Sequence, residues 1–406
     1  MGGLRSGIPA TIATLVMAST ASAQQPGPPA TPAAVPLSLH APALRAAGVA
    51  IPLTVRGVPP AATIELQRLV AARRWVTIKT AVADATGTTR LTYEPQRRNR
   101  RHRLRAAVGG VASPALTVST RDVTLAAFGD SNFGDGVGAV MDSRGPLWPW
   151  RGVAATLRRA DIAFGNLECA ISTRGAAVPK QFNFRGRPGH LVKVVRYAGL
   201  DVLNLANNHA GDFGTLALLD TVRAVRRAGA MPVGAGATLA AARRPQILTR
   251  LGLRIAFVGF SDIGPASFFA GAKRPGTSNA TFPAIAASVR AARRRADVVV
   301  ATFHWGVERS TTENARQRAF AQAALHAGAT AVIAAHPHVL QPIRRVGGAR
   351  HQLIAYSLGN FVWSAGSALS SSTGILRVGL SGRGVESHRL LRARIERTRP
   401  RLLGGS

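Results

Sequence analysis

Asn207, Asn208 and His209 stand at the end of an apolar run, Val202 to Ala206, with Asp212 close behind. Two amides, an imidazole and a carboxylate in one turn can ligate a cation, hold a phosphate or pass a proton. The same punctuation recurs along the chain. Asp130 closes Val123 to Gly129, Asn166 and Glu168 follow Ile162 to Gly165, His304 follows Asp297 to Phe303, and His336 and His338 follow Ala329 to Ala334. Singly, each has an ordinary structural reading: Asp130 caps a turn, Asp212 caps a helix, His304 packs beside Trp305. Together, carboxylate, amide and imidazole donors suit one or two divalent cations of borderline hardness, with manganese, iron and zinc all open. Two ions about 4 Å apart, bridged by a carboxylate, are suited to phosphate ester hydrolysis. A further imidazole would then protonate the leaving oxygen.

These residues share an edge only if the runs before them are parallel strands of one α/β domain. The pattern over residues 122–390 supports this, because the apolar runs alternate with segments of helical period. Helices are expected over Trp150 to Arg159, Gly189 to Ala198, Phe213 to Ala228, Ala284 to Arg295 and Glu313 to His326. Leu253 to Phe260, Leu353 to Ser357 and Thr373 to Leu380 read as further strands. In such sheets ligands bind beyond the carboxyl ends of the strands. The triplet Gly234-Ala235-Gly236 lacks the third glycine and helix start of a dinucleotide fingerprint.

The first part of the chain is different. Residues 1–23 read as a secretion signal, with Arg5, an apolar stretch from Ile8 to Met17 and Ala21-Ser22-Ala23 as a cleavage site. Cleavage would release the protein; retention would leave it anchored at the cell surface. Residues 24–37, rich in Pro, Ala and Gln, read as a linker. Over 38–120, short alternating runs such as Ile51 to Val55, Trp75 to Ile78 and His102 to Val108 suggest a small all-β, immunoglobulin-like sandwich. The Arg-rich end, residues 391–406, is expected to form a frayed basic tail.

The formal charge of +34 favours anionic partners. The densest basic run, Arg97 to Arg105, lacks the aromatic platform and recognition helix of a nucleic-acid interface, so no nucleic-acid partner is expected. An acidic envelope polymer fits better. Cys169, the only cysteine, can form no intrachain disulfide and reads as a small buried side chain.

Gly129-Asp130, Asn166-Leu167-Glu168, Ala206-Asn207-Asn208-His209, His304-Trp305-Gly306-Val307-Glu308, His336-Pro337-His338-Val339-Leu340-Gln341 and Tyr356-Ser357-Leu358-Gly359-Asn360-Phe361 occur in that order. As a set they resemble the CapA family of capsule, or poly-γ-glutamate, synthesis proteins in the calcineurin-like metallophosphatase superfamily. The resemblance covers roughly residues 122–365 and implies a four-layer αββα sandwich. It implies Asp130, Glu168, Asn208, His304, His336 and His338 as metal-site residues, and His209 as the acid or phosphate-contacting imidazole. Asn166, Asn207, Arg185 and Glu308 are expected around the substrate. That substrate is an anionic polymer such as polyglutamate, or a phosphate ester. Two departures stand out: Asp130-Ser131-Asn132 replaces the Asp-x-His of related phosphatases, and Ala334 replaces a family glycine. Polymer synthesis needs nucleotide activation, and no Walker-type loop is present, which favours an accessory, transport or trimming role over that of a synthase.

Overall fold

The strands Val123–Ser131, Ile162–Leu167, Leu253–Ser261, Val298–His304 and Ala331–Ala335 are buried almost throughout. A strand covered on both faces loses the apolar–polar alternation that marks a half-exposed one. Successive side chains still point to opposite sides. Val123, Leu125, Ala127, Ile162 and Phe164 meet Ile255, Phe257, Val298, Val300 and Ile333 in one apolar cluster. The alternate residues Ala126, Phe128 and Ala163 pack instead among Leu191, Val195, Leu218 and Val225. On the other sheet, Val258, Phe260, Val299 and Phe303 pack among Ile285, Val289 and Phe320. This parity defines two sheets lying back to back, with helices on both outer faces, in a multilayer αββα arrangement. Fully burying each such Val, Ile or Phe contributes about 1.5–3 kcal/mol.

The computed structural model describes residues 35–95, 100–347 and 351–404. The expected signal, the linker as far as residue 34, and Arg97 to Asn99 of the basic run lie outside the described residues. The described residues from Leu37 onward form one compact unit.

Both sheets are mixed. The first runs Met231–Val233, Val202–Asn204, Ile162–Leu167, Val123–Ser131, Ser372–Ser381, Gly384–Glu396 and Arg399–Leu402, with Asn360–Val362 also pairing to Val123–Ser131. The second runs Gln246–Arg250, Leu253–Ser261, Val298–His304, Ala331–Ala335, Gln352–Ala355 and Ile343–Val346. The helices Pro188–Ala198, Gly214–Ala228, Phe282–Arg293 and Ala315–His326 match four of the five expected. The fifth is shorter than read: Ala154–Arg158 alone is α-helical. Trp150 instead buries its ring against Phe128 and Phe361, with centroids 5.7 and 5.9 Å away.

The basic tail is a correction. Its arginines alternate with Leu391, Ala393 and Ile395, and the segment pairs as a hairpin from Gly384–Glu396 to Arg399–Leu402 rather than fraying. Leu391 and Leu402 pack on the helix-side core.

Residues 38–121 form two antiparallel-rich sheets. One contains Ser38–His40, Ile51–Arg56 and Thr88–Tyr93; the other contains Leu44–Ala46, Leu116–Arg121, Arg101–Val108, Thr63–Ala71 and Arg74–Val82. Ile51, Leu53 and Val55 of the first meet Leu66, Leu104 and Val118 of the second in a shared core. Cys169 is buried, and burial pushes its thiol well above the ordinary cysteine value.

Candidate metal centre

Parallel pairing aligns the polar strand ends. Asp130 lies opposite Asn166, which lies opposite Asn204, while His304 lies between Ser261 and Ala335. Gly129 makes this alignment possible. A Cβ there would fall 1.8 Å from the Gly359 carbonyl oxygen, so only glycine lets the Leu358–Asn360 turn close on the strand. The Asp130 N–H then donates to that carbonyl at 2.9 Å. Across the cleft, the backbone after Ala331–Ala335 takes positive φ at His336 (101°) and at His338 (59°). Such angles cost a non-glycine residue about 1–3 kcal/mol and gather at functional sites. The His336 N–H donates to Asp130 Oδ2 at 3.2 Å and the Pro337 carbonyl accepts from Arg309 at 2.8 Å, which holds the turn.

Five donors from both sheets meet there. Asp130, Glu168 and His304 form one group; Glu168, His336 and His338 form another; within each group the donor atoms lie within 4.8 Å of one another. Glu168 belongs to both. Its two carboxyl oxygens are buried and have no hydrogen-bond partner among the described residues. His304 Nε2 lies 2.7 Å from Asn208 Oδ1, 3.1 Å from His336 Nδ1 and 3.2 Å from Glu168 Oε1. One N–H cannot serve three lone-pair groups, whereas a cation among them satisfies all. Orphaned carboxylate oxygens facing imidazoles in a dry pocket fit a divalent ion on chemical grounds.

The protonation pattern agrees. Burial and the neighbouring Asp130 charge push Glu168 well above the ordinary glutamate value. Burial also works to raise Asp130, but the hydrogen bond and charge of His338, with His304, overcome it and hold Asp130 low. Burial and the charge of His336 push His304 well below the ordinary histidine value, and burial with His338 brings His336 down to about 3. His338 goes the other way, because Asp130 outweighs its burial. Both Glu168 and His338 thus hold a proton more readily than usual, and a divalent cation would compete with that proton.

Amides frame the donors. Asn166 Nδ2 donates to Asp130 Oδ1 at 2.7 Å, and its Oδ1 accepts from Asn204 at 2.9 Å and Asn207 at 3.3 Å. Asn207 also donates to the Leu167 carbonyl at 2.8 Å and accepts from the His209 N–H at 3.1 Å. His338 Nδ1 donates to Asn360 Oδ1 at 2.9 Å, which turns its Nε2 toward Glu168 Oε1, 3.9 Å away. Gly234, at φ 83°, leaves room for Asn204 and Ala206; a Cβ there would meet both.

His209 belongs to neither donor group. Its Nδ1 donates to Asp212 Oδ2 at 2.7 Å, leaving Nε2 to exchange a proton. Asp212 is 0% exposed, accepts from Lys180 Nζ at 2.6 Å and from the Phe184 N–H at 2.7 Å, and so holds the imidazole in one tautomer. Burial depresses His209 despite Asp212. Phe184 lies against His209 with centroids 4.3 Å apart, and Trp363 lies against His338 at 4.8 Å.

Asp130, Glu168, His304, His336 and His338 are therefore brought together, with Asn208 touching His304 and His209 beside them. The four expected substrate contacts fare differently. Asn166 and Asn207 are buried, with their amides engaged in the frame described above. Arg185 donates to the Arg174 and Gly175 carbonyls at 3.0 and 2.7 Å and lies 3.6 Å over the Phe213 ring, which makes it a loop clamp. Glu308 is exposed and touches the site through its charge, which acts on Glu168 and His338. Asn132, at the departed position, caps a turn by accepting from the Gly134 N–H at 2.7 Å. Ala334 lies inside an ordinary strand, where a glycine is not required. Sequence reasoning missed Lys180, Asn204 and the role of Asn360. Only Asn360 lay in a motif that could have signalled it.

Two mixed sheets with helices outside, and a dry carboxylate–imidazole cluster that could hold a metal where their strands end, are consistent with a calcineurin-like phosphoesterase fold. The chain belongs to the bacterial capsule synthesis protein PGA_cap family, whose model matches residues 124–365. It is similar to the PGA biosynthesis protein CapA of Bacillus subtilis, 33% identical over 266 residues, which covers 64% of this chain and 68% of that one. It is also similar to the capsule biosynthesis protein CapA of Bacillus anthracis, 30% identical over 282 residues and covering 67% of each.

Proposed function

We propose that this chain acts in capsule or exopolymer biosynthesis as a metal-dependent hydrolase, cleaving a phosphate ester beside an acidic polymer such as polyglutamate. Glu168 carries this reading: a carboxylate shared by two donor groups, with neither oxygen hydrogen-bonded among the described residues, would hold a divalent ion. Asp130, Glu168, Asn208, His304, His336 and His338 would hold the ion or ions. A divalent ion supplies Lewis acidity and offsets charge building on the transferred group. Asp212 fixes His209 with Nε2 free, so that Nε2 can take up a proton and then give it to the leaving oxygen. Lys180 pairs with the buried Asp212 carboxylate, and Asn166 with Asn360 orients the donors.

A secreted or cell-surface location fits this role and the N-terminal 23 residues. Among the described residues no helix is long and apolar enough to cross a membrane. The two sheets of residues 38–121 support an immunoglobulin-like sandwich that spaces or attaches the metal domain. Asn132 favours one alternative, a binding factor without turnover, since it replaces a residue that related phosphatases use.

Metal content of the purified protein, measured with hydrolysis of aryl phosphate mono- and diesters, tests the reading. Stoichiometric metal, with turnover that falls about 100-fold or more in His209→Ala while metal is retained, is expected. Metal-free, inactive protein that still binds polyglutamate would establish the alternative.

A further inference from the structure

A second site lies outside the family region, in the β-rich part of the chain. The edge of the strand pair Thr63–Ala71 and Arg74–Val82 faces the edge strand Thr88–Tyr93 across a cavity of about 370 Å³. Arg68 and Lys79 line it, and among the described residues both have only neutral hydrogen-bond partners. Arg68 donates to the Tyr93 hydroxyl at 3.4 Å, and Lys79 to the Thr92 carbonyl and hydroxyl, each at 3.3 Å. Arg68 Nε is buried without a hydrogen-bond partner among the described residues. Glu65, the acid on the neighbouring strand face, is engaged by Gln67 and Thr77 at 2.8 Å each. The exposed Glu94 stands at the rim and forms no ion pair with either cation. Tyr93 is braced from behind by His102, with its hydroxyl 3.2 Å from His102 Nδ1. Leu66 and Ile78 supply an apolar floor.

Two uncompensated cations above an aliphatic floor match a carboxylate carried on a short aliphatic arm. We propose that this cavity binds carboxylates of an acidic polymer chain, such as glutamyl side groups. The occupant rests on the exopolymer reading above; the cavity does not depend on the metal centre. On a chain this basic, any polyanion will adhere somewhere, so the test compares positions rather than total charge.

Binding of a fluorescein-labelled oligoglutamate to the full chain would be followed by anisotropy near physiological salt. The pair Arg68→Gln and Lys79→Gln would be compared with the surface pair Arg226→Gln and Arg290→Gln, with polyphosphate of matched charge as second probe. The cavity pair is expected to weaken oligoglutamate binding about tenfold or more, and the surface pair less than about twofold. Arg68→Lys, which retains the charge, should recover part of the loss and so guards against a folding artefact. Equal losses in both pairs would overturn the site. An equal loss for polyphosphate would overturn its assignment to carboxylates. Metal content and phosphoester turnover should be unchanged in the cavity pair, so failure of the hydrolytic reading would appear separately from failure of this one.

Discussion

Replacing Glu168 by Gln keeps the shape of the side chain and removes its charge, with opposite effects on two observables. The Glu168 carboxyl is 0% exposed, neither oxygen has a hydrogen-bond partner among the described residues and Asp130 lies beside it. Its folded value is raised well above the 4.5 of an unperturbed glutamate, by burial first and Asp130 second. The folded form therefore binds the proton more tightly than the unfolded chain. Stability from this group is fully present below pH 4.5 and is lost as pH rises toward the folded value. At neutral pH the chelated wild type carries that penalty and the Gln variant does not. An uncompensated buried group of this kind costs about 1–3 kcal/mol. For a unit of this size, that corresponds to a melting temperature about 1–4 °C higher in the chelated variant. The same substitution removes the charge, and one of the two oxygens, of the residue common to both donor groups, so metal affinity should fall by more than about 100-fold. Thermal unfolding with chelator and with added manganese, alongside elemental analysis, reads both effects. A chelated variant that melts below chelated wild type, or one that keeps its metal, would refute the shared-ligand argument.

Asn360→Ala removes the acceptor that orients His338 and should weaken metal binding about 10- to 100-fold without unfolding, measured by chelator competition. Lys180→Met leaves the buried Asp212 carboxylate without its cation and should cost about 3–5 kcal/mol in urea unfolding. A loss below about 1 kcal/mol would mean that Lys180 behaves as a surface pair. Gly129→Ala places a methyl 1.8 Å from the Gly359 oxygen and should cost more than about 4 kcal/mol, seen as loss of soluble protein or of cooperative melting.

The site edge was legible because the strands are buried on both faces. Where every residue of a strand must be apolar, the first polar residue marks its end, as Asp130, Asn166, His304 and His336 do. The same rule cannot tell a ligand from a brace. Asn166 and Asn207 carry the same amide as Asn208, and only the pairing of their atoms separates frame from donor. Lys180 was invisible because it sits in a loop with no period, and its partner Asp212 is 32 residues away. The C-terminal hairpin was misread because Arg392 and Arg394, on the exposed face of Gly384–Glu396, hid the apolar alternation of Leu391, Ala393 and Ile395 on the other. In the β-rich part, runs such as Ile51–Arg56 alternate openly, so their strands could be read directly.

The donors divide between the two sheets: Asp130, Glu168 and Asn208 come from one, His304, His336 and His338 from the other. Neither half of the domain can assemble the cluster alone. An ion seated there would act as a rivet across the shear plane between the sheets, and it could be captured only after both have docked. Metal uptake would then be a late step, closing a seam that the fold alone leaves without a clasp.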